Sequence, residues 1–187
     1  MKDKITEHSI RLFEKKGFKE TSIQDIVDSM GVTKGTFYYY FSSKEELLMD
    51  IHLGYIDNLL EKQRHIVETN SSYKEKLFET VFLLISNIKV QGSAAKIFFR
   101  EMKNLNEKRL ALIVPKRNEF RFTIENLLKE GIEKGEFRAN LNISIITFGI
   151  LGAANWSYQW FNPNGTLTDR EVAEVFVEMI LEGIQSV

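Results

Sequence analysis

Apolar side chains recur at helical spacing along almost the whole chain, with no run of period two, and only Pro115 and Pro163 interrupt the pattern. Such a chain buries its apolar stripes helix against helix, so the fold class is all-α. The helix starts carry their own chemistry. Ser43 with Glu46, Ser72 with Glu75 and Thr168 with Glu171 fit the capping box, and Ser22 with Asp25 is a shorter version. Asn142 is a further cap, and Gly17, Gly31, Gly92 and Gly135 stand where helices should stop. The pattern predicts about nine helices: 4–16, 23–29, 33–40, 44–68, 73–90, 94–105, one interrupted near Pro115 and ending near 134, 143–161 and 169–185. Ile10 and Phe13 are expected to face inward from the first.

Residues 21–44, TSIQDIVDSMGVTKGTFYYYFSSK, read as a short helix, a glycine turn and a second short helix of small, basic and tyrosine side chains. This is a helix-turn-helix, and it points to double-stranded DNA as a partner. Thr33, Lys34, Gly35 and Thr36 keep the start of the second helix slim enough for a duplex to approach. Phe37 and Phe41, four residues apart, are expected in the core. Tyr38 and Tyr39 then face elsewhere, where hydroxyls reach phosphates and rings pack on sugars or thymine methyls; Tyr40 is divided between packing and phosphate. Lys44 opens a helix against its dipole, which makes it a phosphate candidate. Ser22 can cap, bind phosphate, or do both.

Charge limits how such a module grips DNA. The formal net charge is −1. Residues 1–47 hold eight basic and eight acidic side chains. A diffuse positive field is excluded, so affinity must come from a few placed contacts used twice over by two copies. Other classes are poorly served. There is no cysteine, and His8, His52 and His65 are scattered, so no metal site and no cofactor are expected. No nucleophile–base set or phosphate loop supports an enzyme. Charge begins at Lys2, and the longest apolar run, 143–156, is too short for a bilayer, so a soluble cytoplasmic protein with no membrane partner is expected. A helical dimeric interaction protein that ignores DNA is the rival, but it would not need an exposed TKGTFYYY segment.

The second half is read as a partner surface and a cavity. Val172, Val175, Phe176, Met179, Ile180, Gly183 and Ile184 form one stripe. The preceding helix is apolar on nearly every side, with Ile150 and Ala153 among small residues Gly149 and Gly152. Two such helices from each of two chains would make a four-helix bundle, so a homodimer is expected. Aromatic side chains crowd helices four to eight. Phe82, Phe98, Phe99 and Phe120, with Asn155, Trp156 and Arg121, are the candidates to line a pocket for a small effector. Arg121 and Arg117 lie four apart and either clamp an anionic group or face solvent.

GFKETSIQDIVDSMGVTKGTFYYYFSSKEEL resembles the N-terminal domain of TetR-type transcriptional repressors over about residues 5–50. The resemblance implies DNA contact by Ser22, Thr33, Lys34, Gly35, Thr36, Tyr38, Tyr39, Tyr40 and Lys44. It also implies a DNA-binding domain over 1–47, an effector-binding and dimerisation domain over 48–187, and repression relieved when the effector moves the fourth helix. Val27 and Met30 stand where the family usually has alanine, and Tyr40 where histidine is common. NWSYQWFNPNGTLTDREVAEVFVEMILEGI is similar to the C-terminal end of TetR-type regulators of fatty-acid catabolism, many of which respond to acyl-CoA thioesters. An acyl-CoA or another apolar or amphipathic effector is therefore implied, with a hydrophobic drug-like compound as the alternative.

Overall fold

The computed structural model describes residues 1–184 and is helical throughout, with no strand among them. Eight α-helices occur: α1 Lys2–Lys16, α2 Ile23–Met30, α3 Lys34–Tyr40, α4 Lys44–Glu68, α5 Tyr73–Arg100, α6 Glu107–Glu133, α7 Ile143–Trp160 and α8 Asp169–Ile184. A 3-10 turn, Met102–Asn104, precedes α6. The count of nine is corrected to eight because the two helices expected over 73–105 form one. Gln91, beside Gly92, leaves helical geometry at φ −131° and ψ 32°, and the helix resumes without a loop. Pro115 is likewise carried inside α6. The expected end of the last helix at residue 185 lies outside the described residues.

Two compact units can be told apart. The first contains residues 1–57 and 91–114, the second 58–90 and 115 onward. Residues 91–114 thus pack with the N-terminal helices, a partition by packing that differs from the expected division at residue 47. In the first unit, α1 buries Ile5, Ser9 and Phe13, one residue per turn. Ile10, expected to face inward, is only half-buried because this stripe runs one position away from it. Ile26, Val27, Phe37, Phe41, Leu47 and Leu48 close the core, and the Phe13 and Phe18 rings meet edge-on at 5.2 Å. Glu14 accepts from Ser93 and from Lys96 (2.7 Å), and these bonds, Lys96 first, hold its carboxyl below the usual range. Phe98 packs on Tyr55 (ring centroids 4.8 Å) and His52 (5.4 Å).

In the second unit, Leu77, Val81, Ile85, Ile124, Leu127, Leu128, Phe137, Ile150 and Ala173 are buried. Gln63 donates to the Phe120 carbonyl at 3.0 Å. Among the described residues α5 is the one helix long and apolar enough to cross a membrane, but its apolar residues Leu77, Val81, Leu84 and Ile85 are buried within the protein. Gly131 is closely covered: an added Cβ there would lie 2.4 Å from the Phe137 ring.

The capping boxes form. Ser22, Ser72 and Thr168 each accept from the amide three residues on, and Asp25, Glu75 and Glu171 each return a carboxylate to the cap amide. At α4 the box is displaced by one residue: Ser43 caps the Glu46 amide, while Glu46 takes the amide and hydroxyl of Ser42. Asn142 accepts from the Ile145 amide at 3.2 Å. These bonds depress the carboxyls. The Thr168 amide, then its hydroxyl, act on Glu171; the Ser72 amide, then its hydroxyl, act on Glu75; the Ser42 hydroxyl, then its amide, act on Glu46. A carboxyl depressed in the folded state favours folding above its unfolded pKa, and that contribution is lost as pH falls through the folded value. The melting temperature, followed by circular dichroism from about pH 6 to pH 3, is expected to fall below the ordinary carboxylate range. Glu171→Gln should flatten that fall.

Candidate nucleic-acid interface

The helix-turn-helix is built from three local decisions. Gly17, at φ 88°, ends α1 and turns the chain into the corner before α2. Gly31, at φ 65° and ψ 33°, closes α2 in the left-handed region, and its amide bonds back to the Asp28 and Val27 carbonyls. Thr33 then caps α3 by accepting from the Thr36 amide at 3.3 Å. The core side of α3 is Phe37 (0% exposed), with Phe41 (2%) just beyond the helix. The other side of α3 faces outward: Thr33, Lys34 and Gly35 are exposed, Thr36 half-buried, Tyr38 54% exposed and Tyr39 81%. Tyr39 stands on Tyr40, edge to face at 4.8 Å, and Tyr40 is half-buried, which matches its divided reading.

A cleft of about 270 Å³ beside α3 is lined by Ser22, Ile23, Tyr38, Ser42, Ser43, Lys44 and Glu45. It brings Ser22, Tyr38 and Lys44, distant in sequence, to one place at the N-termini of α2 and α4. Ser22 is already engaged: its hydroxyl donates to Asp25 at 2.6 Å. The Ser22 hydroxyl, then Lys16 at 2.9 Å, then the Ser22 amide hold the Asp25 carboxyl far below its usual range. Lys44 departs from expectation. Its ammonium donates to the carbonyls of Thr21 (2.6 Å), Phe18 (2.7 Å) and Lys19 (3.4 Å) and lies 4.4 Å from the Phe18 ring centroid. Its stem lines the cleft while its charge turns inward.

The seven residues expected around an effector are divided between the units. Phe98 and Phe99 belong to the first, where their rings meet edge-on at 5.4 Å. In the second, Phe82 stacks on Phe78 (6.0 Å, 6° between planes) under the Arg170 guanidinium, and Phe120 is buried. Arg121 pairs with Glu125 at 2.6 Å and covers the Phe122 ring, so an internal carboxylate already answers its charge. Asn155 is half-buried. Trp156 is 61% exposed and projects from α7 toward solvent, which corrects its expected place inside a pocket: its helix turns Ala154 and Ser157 inward instead.

The expected partner surface is also rearranged. Ile150 and Val172 are buried within the protomer, because the apolar stripes of α7 and α8 face their own core first. Ala153, Phe176 and Ile180 are half-buried; Val175 and Met179 are exposed. The outer face of α7, a helix that the sequence marks as apolar on nearly every side, is uncharged. Ile145, Phe148, Trp156 and Trp160 all stand exposed along it, Gly149 and Gly152 lie between them, and no charged residue occurs from Ile143 to Trp160.

An exposed recognition helix on a three-helix core, continued by a larger helical region, defines an all-α helix-turn-helix regulator. The family description "Bacterial regulatory proteins, tetR family" matches residues 5–51, and "Tetracyclin repressor-like, C-terminal domain" matches residues 70–184, more than half of the chain. The protein belongs to the TetR family of transcriptional regulators and is a DNA-binding regulator rather than an enzyme. It is 29% identical over 177 residues to the HTH-type transcriptional repressor KstR2 of Rhodococcus jostii, covering 94% of this chain and 86% of that one. The structure of the ketosteroid transcriptional regulator KstR2 of Mycobacterium tuberculosis superposes with a TM-score of 0.91 over 100% of this chain and 95% of that one, at 24% identity, a likeness of fold. AibR, solved in complex with isovaleryl coenzyme A and operator DNA, gives a TM-score of 0.86 at 25% identity, covering 95% and 96%.

Proposed function

We propose that the protein is a homodimeric repressor that holds a palindromic operator through α3 and lets go when an acyl-CoA thioester binds its C-terminal helices. The observation that carries the DNA half is the outward side of α3. Phe37 alone satisfies the core, yet two tyrosines more than half exposed flank it, beside Lys34 and Gly35. Exposed aromatic rings cost solvation and a helical glycine costs propensity; a duplex docked on this side would cover the rings and use the room that the glycine leaves. Ser22, Thr33 and Thr36 supply the accompanying hydroxyls. The effector half is supported by AibR, whose complex joins a coenzyme A thioester with operator DNA in one similar protein. The dimer is supported by the uncharged outer face of α7 together with Val175 and Met179 on α8.

A gel shift on the DNA upstream of the protein's own coding sequence tests this reading. Lys34→Ala with Tyr38→Ala and Tyr39→Ala is expected to weaken binding by tenfold or more without lowering the melting temperature, since none of the three is in the core. Isovaleryl-CoA or a longer acyl-CoA should release wild-type protein from the duplex; coupling of about 1–3 kcal/mol corresponds to a 5–150-fold loss of affinity. Retained binding by the triple variant would remove α3 from the interface.

A further inference from the structure

The corner between α1 and α2 leaves carbonyls with no helical partner, and the structure accounts for most of them. Thr21, fully buried, donates its hydroxyl to the Gly17 carbonyl at 2.8 Å. The carbonyls of Phe18, Lys19 and Thr21 all converge on one ammonium, that of Lys44, more than twenty residues away and at the first turn of α4. A lysine ammonium has three N–H donors, and here three carbonyls receive them. The Phe18 ring lies beside the same charge. Lys44 sits at a helix N-terminus where its charge opposes the dipole, so a compensating set of acceptors is what such a position requires. Those acceptors are in this corner.

We infer that Lys44 is a positioning residue: its ammonium ties the start of α4 to the start of α2 and so fixes the cleft in which Ser22 and Tyr38 meet the duplex, while the lysine itself touches no phosphate. This differs from the phosphate contact that the family resemblance implies for the same position. The Thr21 carbonyl held by Lys44 belongs to the residue directly before Ser22. Release of the ammonium therefore frees the N-terminus of α2, whose Ser22 and Ile23 line the cleft. The inference rests on the reading that this module grips duplex DNA.

The test uses the full-length protein and a duplex enriched by the wild type from a random-sequence library. Lys44→Met keeps the aliphatic stem and removes the donors. It is expected to weaken binding tenfold or more, to leave the slope of log affinity against log salt at the wild-type value, and to speed amide exchange over residues 17–26 in DNA-free protein. A phosphate contact would instead flatten the slope by about 0.9 for each lysine removed, with exchange unchanged. That result, or wild-type affinity in Lys44→Met, overturns the inference. Should Lys44→Met not fold, the wild-type Lys44 ammonium resonance decides: protection from solvent in the free protein that persists on adding duplex supports the tie, and a signal that shifts onto the DNA overturns it. If the wild type enriches no duplex at all, the DNA reading fails by itself, and amide exchange in the free protein still judges the tie.

Discussion

Glutamate placed at both Val175 and Met179 is expected to yield a folded monomer whose affinity for operator DNA is lower by a hundredfold or more. Both side chains are more than half exposed on α8, at 63% and 57%, so neither substitution opens a cavity or buries a charge within the protomer. Beside them, α7 offers Ile145, Phe148, Trp156 and Trp160 to solvent, an apolar display that a monomer does not sustain without cost. An added Cβ at Gly149 or Gly152 would meet nothing within 4 Å, so their smallness serves no packing inside the chain. In the proposed dimer it would let a second backbone approach. The exposed side of α8 already carries Glu171, Glu174, Glu178 and Glu182, and two further carboxylates there would force like charges together across a two-fold axis. The affinity loss follows from avidity. A charge-balanced DNA module binds weakly alone, and linking two at fixed separation raises affinity by roughly 10²–10⁴. Analytical ultracentrifugation and a gel shift on the same preparation check both parts; a variant that stays dimeric places the interface elsewhere.

The helix-turn-helix was legible because every decision in it is local. Gly31, the Ser22–Asp25 cap and the Phe37–Phe41 pair are each read within five residues, and the structure realises all of them. The surroundings of Lys44 were hidden for the opposite reason. Its position against the dipole was visible, but the three carbonyls that receive it lie 23–26 residues earlier and reach it only after the corner has folded. The stripes of α7 and α8 were ambiguous in a third way. Periodicity shows that a face is apolar; it does not say whether the face meets its own core or a second chain. Ile150 and Val172 took the first role, Val175 and Met179 stand on the other side, and only side-chain exposure separates them. The aromatic residues expected around one effector carried the least information, since aromatic content fixes neither burial nor direction: Phe120 is buried and Trp156 is exposed.

Gly35 offers the sharpest separation of folding from function. Gly35→Ala is expected to raise the melting temperature while weakening DNA binding, and Gly35→Leu to abolish binding in a protein that still folds. Gly35 has no left-handed φ to protect, and a Cβ built on it meets only the Thr33 hydroxyl oxygen, at an ordinary 3.5 Å. Nothing inside the module therefore asks for glycine. Helix propensity argues against it: alanine is favoured by up to about 1 kcal/mol at a helical position, somewhat less in a first turn. The residue is exposed, so the longer leucine also finds room in the DNA-free protein. What remains to exclude a side chain is the duplex, approached by the first turn of α3 where Thr33, Lys34 and Thr36 surround the same spot. In the proposed dimer each substitution acts in both protomers, so a modest clash per half-site would be felt twice. Binding by Gly35→Leu at wild-type affinity, with its melting curve intact, would show that the start of α3 stands away from the groove and that the outward tyrosines, if they reach DNA, do so from another docking angle.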